Sequence, residues 1–250
     1  MNFKLTLAYD GTDFVGWQRQ ASGRSVQALL EDALSQIERA PVTVVGAGRT
    51  DAGVHALGQV ASVSLTHGLD AAVLRRALNA TLPPDLRVVA VESALPDFNA
   101  RFAAQTKTYR YRLICGEFIS PFDRKFAWHL PLSLDVNRMK RAAAHLEGRH
   151  DFAAFQSAGS DVSTTERRVL ASQVTTATKT ADTEEVLYEV TANGFLRHMV
   201  RAIVGTLVEV GSGRLQPDDL AQILLSRDRH RAGPTAPAHG LFLMAVSYVS

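Results

Sequence analysis

The chain has 250 residues, of which 46% are hydrophobic and 21% charged, a composition that allows a sizeable core and excludes wholesale disorder. Its formal net charge of +2 is too small to identify a nucleic-acid binder, and its only cysteine, Cys115, excludes an internal disulfide and a multi-cysteine metal site. The sequence shows neither a signal-peptide pattern nor an apolar run near the ~20 residues of a membrane span, so we expect a cytoplasmic protein without membrane contact.

The first hundred residues predict the element order βαββαβ. Ser25 is a suitable N-cap for a helix that Pro41 ends, and a second helix over 71–82 stops at Pro83. Runs rich in β-branched and apolar residues predict strands over 3–9, 42–45, 59–65 and 86–91.

The second half predicts the same order again. Strands are expected over 108–114, 169–176, 186–191 and 241–248, and helices over 134–146, 195–210 and 217–225. The fold class is therefore predicted as α+β, with two tandem βαββαβ units of the ferredoxin or RRM-like kind whose antiparallel sheets join. The boundary falls near residues 103–105, which gives an N-terminal unit over 1–104 and a C-terminal unit over 105–250.

A polar, glycine-rich segment over 46–56 separates two of the predicted strands. Gly46 and Gly48 begin a dinucleotide-binding pattern, but Asp51 occupies the place of its third glycine and a strand follows instead of a helix. A nucleotide-binding oxidoreductase is therefore disfavoured. A turn in which Asp51 caps its own backbone is an alternative to a functional role, and His55 has no partner at metal-ligand spacing.

The predicted helix over 195–210 is apolar on almost every face, yet Arg201 lies in its middle. A buried guanidinium requires a carboxylate and further acceptors, so we expect Arg201 to pair with an acid. A purely structural ion pair is an alternative to a catalytic one.

A basic stretch follows the predicted boundary. Alternation on a strand would place Tyr109 and Tyr111 on one face and Arg110 and Arg112 on the other. An exposed strand face explains this pattern as well as RNA binding does. Further basic clusters, with acids concentrated elsewhere, favour a groove that follows phosphates; these clusters contain Arg101, Lys107, Arg138, Lys140, Arg141, Arg149, His150, Arg227, Arg229, His230 and Arg231.

Six segments together resemble the tRNA pseudouridine synthase A (TruA) family, over essentially the whole chain. Residues 48–55, GRTDAGVH, are similar to the family signature that carries its essential aspartate. The other similar segments follow in order: 9–12 with 16–20, 98–102 leading to 109–111, 150–152, 195–201, and 233–237 with 240–241.

The resemblance implies a cofactor-free homodimer without a bound metal that isomerises uridine to pseudouridine at positions 38–40 of the anticodon arm of tRNA. It implies an active cleft between the two units, with Asp51 as the catalytic carboxylate, Tyr109 near the uracil and Arg201 paired with Asp51. Arg49 matches the arginine implicated in extruding the target base. The expected tRNA contacts are Arg49, Arg101, Tyr109, Arg110, Arg197 and His198. A non-catalytic RNA-binding module and a relative acting at other tRNA positions are the alternative interpretations.

Overall fold

A computed structural model of the chain describes residues 1–157, 159, 162–180 and 182–249. The chain divides into two compact units, Met1–Gln105 with the residues from Phe242 onward, and Thr106–Leu241. The described residues form ten β-strands and five α-helices, which confirms the α+β class. Within those residues no helix combines the length and apolarity that crossing a bilayer requires.

The first unit contains two helices and a sheet built around its first strand. The elements are β1 (Asn2–Tyr9), α1 (Val26–Glu38), β2 (Val45–Gly46), β3 (His55–Ser64), α2 (Ala71–Thr81), β4 (Leu86–Ala94) and β10 (Leu241–Tyr248). Strand β1 alternates buried residues such as Phe3, Leu5 and Leu7 with more exposed ones, as a strand with one face in the core does. The strand order is β4-β1-β3, with β2 antiparallel and β10 parallel to β3. Helix α2 packs on β4 and contacts α1.

The second unit is built around long antiparallel strands. The elements are β5 (Ala104–Gly116), β6 (Trp128–Leu130), α3 (Val136–Ala144), β7 (Gly148–Asp151), β8 (Glu166–Lys179), β9 (Thr183–Ala192), α4 (Met199–Gly211) and α5 (Asp219–Ser226). The strand order is β5-β9-β8-β7, with the short strand β6 parallel to β5. Helix α4 is buried on nearly every residue.

The structure differs from the predicted elements at several points. The strand predicted over 59–65 begins earlier, since β3 runs over His55–Ser64. The strand predicted over 42–45 reduces to β2, because the amides of Val42 and Val44 bond to the side chains of Ser35 and Glu31 on α1. Strands β6 and β7 went unpredicted, since three or four residues are too short for a period to be read. Helix α4 begins at Met199 instead of residue 195, because His198 has a positive φ of 61°.

The sequence predicts the last strand within the C-terminal unit, but its residues from Phe242 onward lie with the first unit. There Phe242 and Leu243 pair with His55 and Ala56 of β3. Two tandem units of one topology, joined through their sheets, stay a prediction.

Candidate active site

Residues 46–54, which we call the Asp51 loop, run from the last residue of β2 to the start of β3 in the first unit. The side chains of Thr50 and Val54 are buried, whereas Arg49 is exposed and Asp51 is half-buried. The loop therefore presents a guanidinium and a carboxylate on either side of a buried threonine.

The turn after β1 holds the backbone of this loop. The amide of Trp17 donates to the carbonyl of Thr50 at 3.0 Å, and the amide of Gly53 donates to the carbonyl of Phe14 at 3.3 Å. Gly16, at a φ of 111°, forms an isolated antiparallel bridge with Asp51. A side chain on Gly16 would collide with the Thr50 carbonyl, so glycine is required for this close approach.

Buried side chains also anchor the loop. The hydroxyl of Tyr9 lies 2.8 Å from that of Thr50, and Gln59 Nε2 donates to the carbonyl of Gly48 at 2.9 Å. Burial raises the pKa of Tyr9 to about 12, so its phenol stays protonated at neutral pH. Side chains on β1 and β3 thereby hold the Asp51 loop in place.

His55 has a structural role at the start of β3. Its Nδ1 accepts a hydrogen bond from the amide of Gly11 at 3.0 Å, and its ring stacks on Phe242 with centroids 4.7 Å apart. Asp10 Oδ1 lies 3.2 Å from the same nitrogen. Because Nδ1 accepts a hydrogen bond from Gly11, it has no proton to donate to Asp10. The contact with Asp10 is therefore not a hydrogen bond.

Arg101 lies at the end of the first unit in a turn closed by an asparagine side chain. Asn99 Oδ1 accepts from the amides of Arg101 and Phe102 at 3.0 and 3.2 Å. The guanidinium of Arg101 lies 5.7 Å from the ring of Phe102, and both side chains are exposed. This turn offers a cation and an aromatic face to solvent.

In the second unit, β5 has the two faces that the sequence predicts. Tyr109 and Tyr111 are buried, and the ring of Tyr109 meets Phe195 edge-on with centroids 5.0 Å apart. On the other face Arg110 donates to Glu189 at 3.0 and 2.8 Å, and Arg112 donates to Glu185 at 2.7 Å.

These ion pairs correct the prediction that acids lie apart from this basic stretch. The register of β5 against β9 sets Arg110 opposite Glu189, a pairing that the linear sequence does not show. Arg149 also forms an ion pair with Glu166, and Arg227 forms one with Asp151. Part of the predicted phosphate-binding charge is therefore used in structural ion pairs.

The residues before α4 form a second polar group. His198 Nδ1 lies 2.9 Å from the hydroxyl of Ser157, and the carbonyl of Arg197 accepts from the amide of Ser157 at 3.2 Å. Arg197 is exposed and reaches the carbonyl of Gly159 at 3.3 Å. The left-handed backbone at His198 turns these side chains away from the helical path.

Arg201 occupies the first turn of α4 and is half-buried, not fully buried as predicted. Its Nε donates to the carbonyl of Ala236 at 2.7 Å, and the amide of Ala236 donates back to the carbonyl of Arg201 at 3.1 Å. A backbone segment thus supplies one of the further acceptors that the sequence predicts for this guanidinium, and its pairing with an acid stays a prediction. The close approach requires Gly205, because a side chain there would overlap the carbonyl of Pro234.

Two further groups surround Arg201. Tyr111 donates to the carbonyl of Pro237 at 2.8 Å; burial raises the pKa of its phenol, which the charge of Arg201 lowers to a lesser extent. Burial lowers the pKa of His239, and Arg201 also contributes to that decrease. His239 is therefore neutral at neutral pH.

A family model described as tRNA pseudouridine synthase matches residues 6–103 and 142–249. The chain belongs to the tRNA pseudouridine synthase family. Proteins named tRNA pseudouridine synthase A from Moorella thermoacetica, Geobacter sulfurreducens and Limosilactobacillus fermentum are 46%, 45% and 43% identical to it. These alignments cover 98%, 98% and 99% of this chain, and 98%, 98% and 96% of the respective relatives.

A solved structure described as a dye-decolorizing protein from V. cholerae aligns over 90% of this chain and 88% of its own, with a TM-score of 0.19 and 10% identity. That likeness carries no argument. By contrast, the pseudouridine synthase model includes Arg49, Asp51, Arg101, Arg197, His198 and Arg201. Tyr109 and Arg110 lie between its two matched ranges, where the full-length relatives still align.

Within each unit the structure gathers part of the predicted set. Arg49 and Asp51 share the Asp51 loop, and Arg197, His198 and Arg201 lie at the start of α4. Among the residues that the structure describes, no three His, Cys, Asp or Glu side chains are grouped to hold a metal ion.

Sequence reasoning missed the residues that support the Asp51 loop. Tyr9, Trp17 and Gln59 all contact it, and the first two belong to segments that the family resemblance already includes. Their presence in those segments was the available signal.

Proposed function

We propose that this chain isomerises uridine to pseudouridine at positions 38–40 in the anticodon arm of tRNA. The observation that carries the proposal is the Asp51 loop. It contains the family signature, and hydrogen bonds from Trp17 and Tyr9 hold Thr50, the residue next to the aspartate. The relatives named tRNA pseudouridine synthase A span nearly the whole chain, which favours the complete activity over a borrowed RNA-binding module.

Asp51 is the proposed catalytic carboxylate. The reaction must break an N-glycosidic bond, turn the uracil and rejoin it through carbon. A carboxylate can do this as the nucleophile or as the base that removes a sugar proton. A stacked base cannot reach it, so the uridine must first leave the stack at a cost of a few kcal/mol. Arg49, which is exposed beside Asp51, would occupy the space that the base leaves.

The second unit supplies the remaining proposed groups. Tyr109 has its ring fixed by Phe195 and would face the uracil, while Arg201 would pair with the carboxylate of Asp51. The planar guanidinium suits that role, because its fork of five N–H donors can bind a carboxylate in addition to the backbone carbonyl that Nε contacts.

The proposed tRNA contacts are Arg49, Arg101, Tyr109, Arg110, Arg197 and His198. Exposure favours Arg101 and Arg197 as phosphate ligands, whereas Arg110 would have to share its guanidinium with Glu189. The family resemblance also predicts a homodimer that acts in the cytoplasm without a cofactor.

Release of tritium from 5-tritiated uridine in tRNA tests the proposal. We expect the parent to release tritium, and Asp51→Asn to bind tRNA but release essentially none, because an amide is neither a nucleophile nor a competent base. Asp13→Asn, an exposed aspartate on the preceding turn, is the matched control and should keep the parental rate.

A parent that binds tRNA without releasing tritium would support the RNA-binding module instead. Transcripts that retain uridine only at position 38, 39 or 40 then test the position. Release from transcripts that lack all three uridines would identify a relative with other targets.

A further inference from the structure

Three buried polar side chains lie behind the Asp51 loop: Tyr9 on β1, Gln59 on β3 and Thr50 within the loop. Their exposed fractions are 5%, 0% and 6%. Polar groups buried this deeply destabilise a fold unless they are hydrogen-bonded. Their hydrogen-bond partners therefore show which part of the structure these side chains hold in place.

The hydrogen-bond directions in this group follow from its chemistry. Gln59 Oε1 accepts from the amide of Val60 at 3.1 Å, and Nε2 donates to the carbonyl of Gly48 at 2.9 Å. Those partners fix the orientation of the side-chain amide, because one can only donate and the other can only accept. The second proton of Nε2 then points to the oxygen of Tyr9, 3.4 Å away.

Tyr9 must therefore donate its own proton to Thr50. Its oxygen accepts a hydrogen bond from Gln59 Nε2, an atom that can only donate. The acceptor left for the phenol proton of Tyr9 is Thr50 Oγ1, 2.8 Å away. The chain of hydrogen bonds runs from Gln59 through Tyr9 to Thr50.

We infer that Tyr9 and Gln59 are positioning residues that set the geometry of Arg49 and Asp51. Thr50 lies between these two residues in the chain. Fixing its side chain therefore restricts the backbone from which the side chains of Arg49 and Asp51 extend. Gln59 holds Gly48, the residue before Arg49, by its carbonyl. The segment contains glycine at 46, 48 and 53 and has little apolar surface of its own, so it needs such anchors to keep one conformation.

The inference rests on the proposed function, since it assigns these residues to the same reaction. It predicts a kinetic signature. Displacing a reacting group by about 1 Å can lower a rate by roughly 10²-fold. None of the three side chains faces solvent, and Arg49 is one of six proposed tRNA contacts, so losing them should lower the rate far more than the affinity for tRNA.

Single-turnover pseudouridine formation with saturating enzyme is the test, alongside the Kd for tRNA and the melting temperature. Tyr9→Phe and Thr50→Val each remove one hydroxyl and nearly preserve shape. Thr50→Ser keeps the acceptor and is the conservative rescue. Tyr188→Phe is the matched control, because Tyr188 forms an equally buried hydroxyl pair with Ser172 at 3.0 Å in the other unit.

We expect Tyr9→Phe and Thr50→Val each to lower the single-turnover rate by roughly 10- to 100-fold, with a much smaller change in Kd. The double variant should be no slower than either single one, because both break the same hydrogen bond. Thr50→Ser should recover most of the rate, and Tyr188→Phe should match the parent.

A Tyr9→Phe variant with the parental rate would overturn the inference. So would a rate loss that Tyr188→Phe shares or that Thr50→Ser does not relieve, because either result would mean a general loss of stability or packing. A parent that forms no pseudouridine overturns the proposed function itself, and this inference with it.

Discussion

Replacing Gly11 by alanine tests how closely the turn after β1 controls the Asp51 loop. Gly11 is buried; its amide donates to His55 and its carbonyl accepts from the amide of Phe14. A Cβ added to Gly11 would lie 2.0 Å from the carbonyl oxygen of Val54 and 2.5 Å from its carbonyl carbon. Val54 ends the loop three residues after Asp51.

The required movement can be read from these distances. Ordinary contacts to a Cβ begin near 3.4 Å, so the two backbone segments must separate by about 1.4 Å. The opposing atoms belong to the backbone, and a side-chain rotation cannot relieve the overlap. We therefore expect a stability loss of about 1–3 kcal/mol, typical of overpacking, and a rate loss of roughly 10²-fold from misplacing Asp51.

The assay is tritium release under single-turnover conditions, well below the melting temperature of the variant. Gly68→Ala is the control, because the nearest atom to a Cβ there is a methionine sulfur 3.9 Å away. We expect Gly11→Ala to bind tRNA with the parental Kd and to react slowly. A folded Gly11→Ala enzyme with the parental rate would show that the turn does not set the position of Asp51.

Four further predictions concern single side chains. Tyr109→Phe should keep tRNA affinity and lose roughly 10²–10⁴-fold in rate if its hydroxyl moves a proton; an unchanged single-turnover rate would leave it a packing residue. Arg201→Lys should stay folded but turn over slowly, because an ammonium lacks the planar fork of a guanidinium; normal turnover would exclude Arg201 from the reaction. Arg101→Ala should reduce the log–log salt slope of tRNA binding by roughly 0.7–0.9, as expected for one lost phosphate contact, and an unchanged slope would refute that contact. A hydrogen bond from the hydroxyl of Thr66 lowers the pKa of buried Glu38 to about 2, so its stabilisation is present above pH 4.5 and is lost as the pH falls toward 2. Across that range the parent's melting temperature should fall more steeply than that of Glu38→Gln, and parallel curves would contradict this.

Elements with clear local signals were predictable from the sequence. Ser25 and Asp70 cap α1 and α2 as their residue types suggest, and β1 follows its alternating pattern. The start of α4 was not predictable, because apolar periodicity continues through residues 195–198 and only the backbone at His198 departs from it. Local periodicity does not report a single left-handed residue.

The candidate site, like the fold, was predictable from the sequence only in part. Asp51 was identifiable from its signature, although spacing alone left a turn residue equally possible. The contacts that support it join residues about 30 to 40 positions apart, such as Trp17 with Thr50 and Tyr9 with Thr50. The pairing of Arg110 with Glu189 spans 79 positions and depends on strand register. Such long-range contacts follow from the fold and are absent from any local pattern.

The Asp51 loop owes its geometry to residues outside itself. Its glycines permit backbone approaches that other residues would block: Gly46 lies against the ring of Trp17, where a Cβ would come within 2.4 Å of ring carbon Cε2. That freedom also leaves the loop with many conformations to lose, so the order must come from β1, β3 and the turn between β1 and α1. A substitution in these supports therefore acts on the placement of Arg49 and Asp51 and leaves the other proposed tRNA contacts in place. It should lower the reaction rate of the bound complex more than it weakens binding.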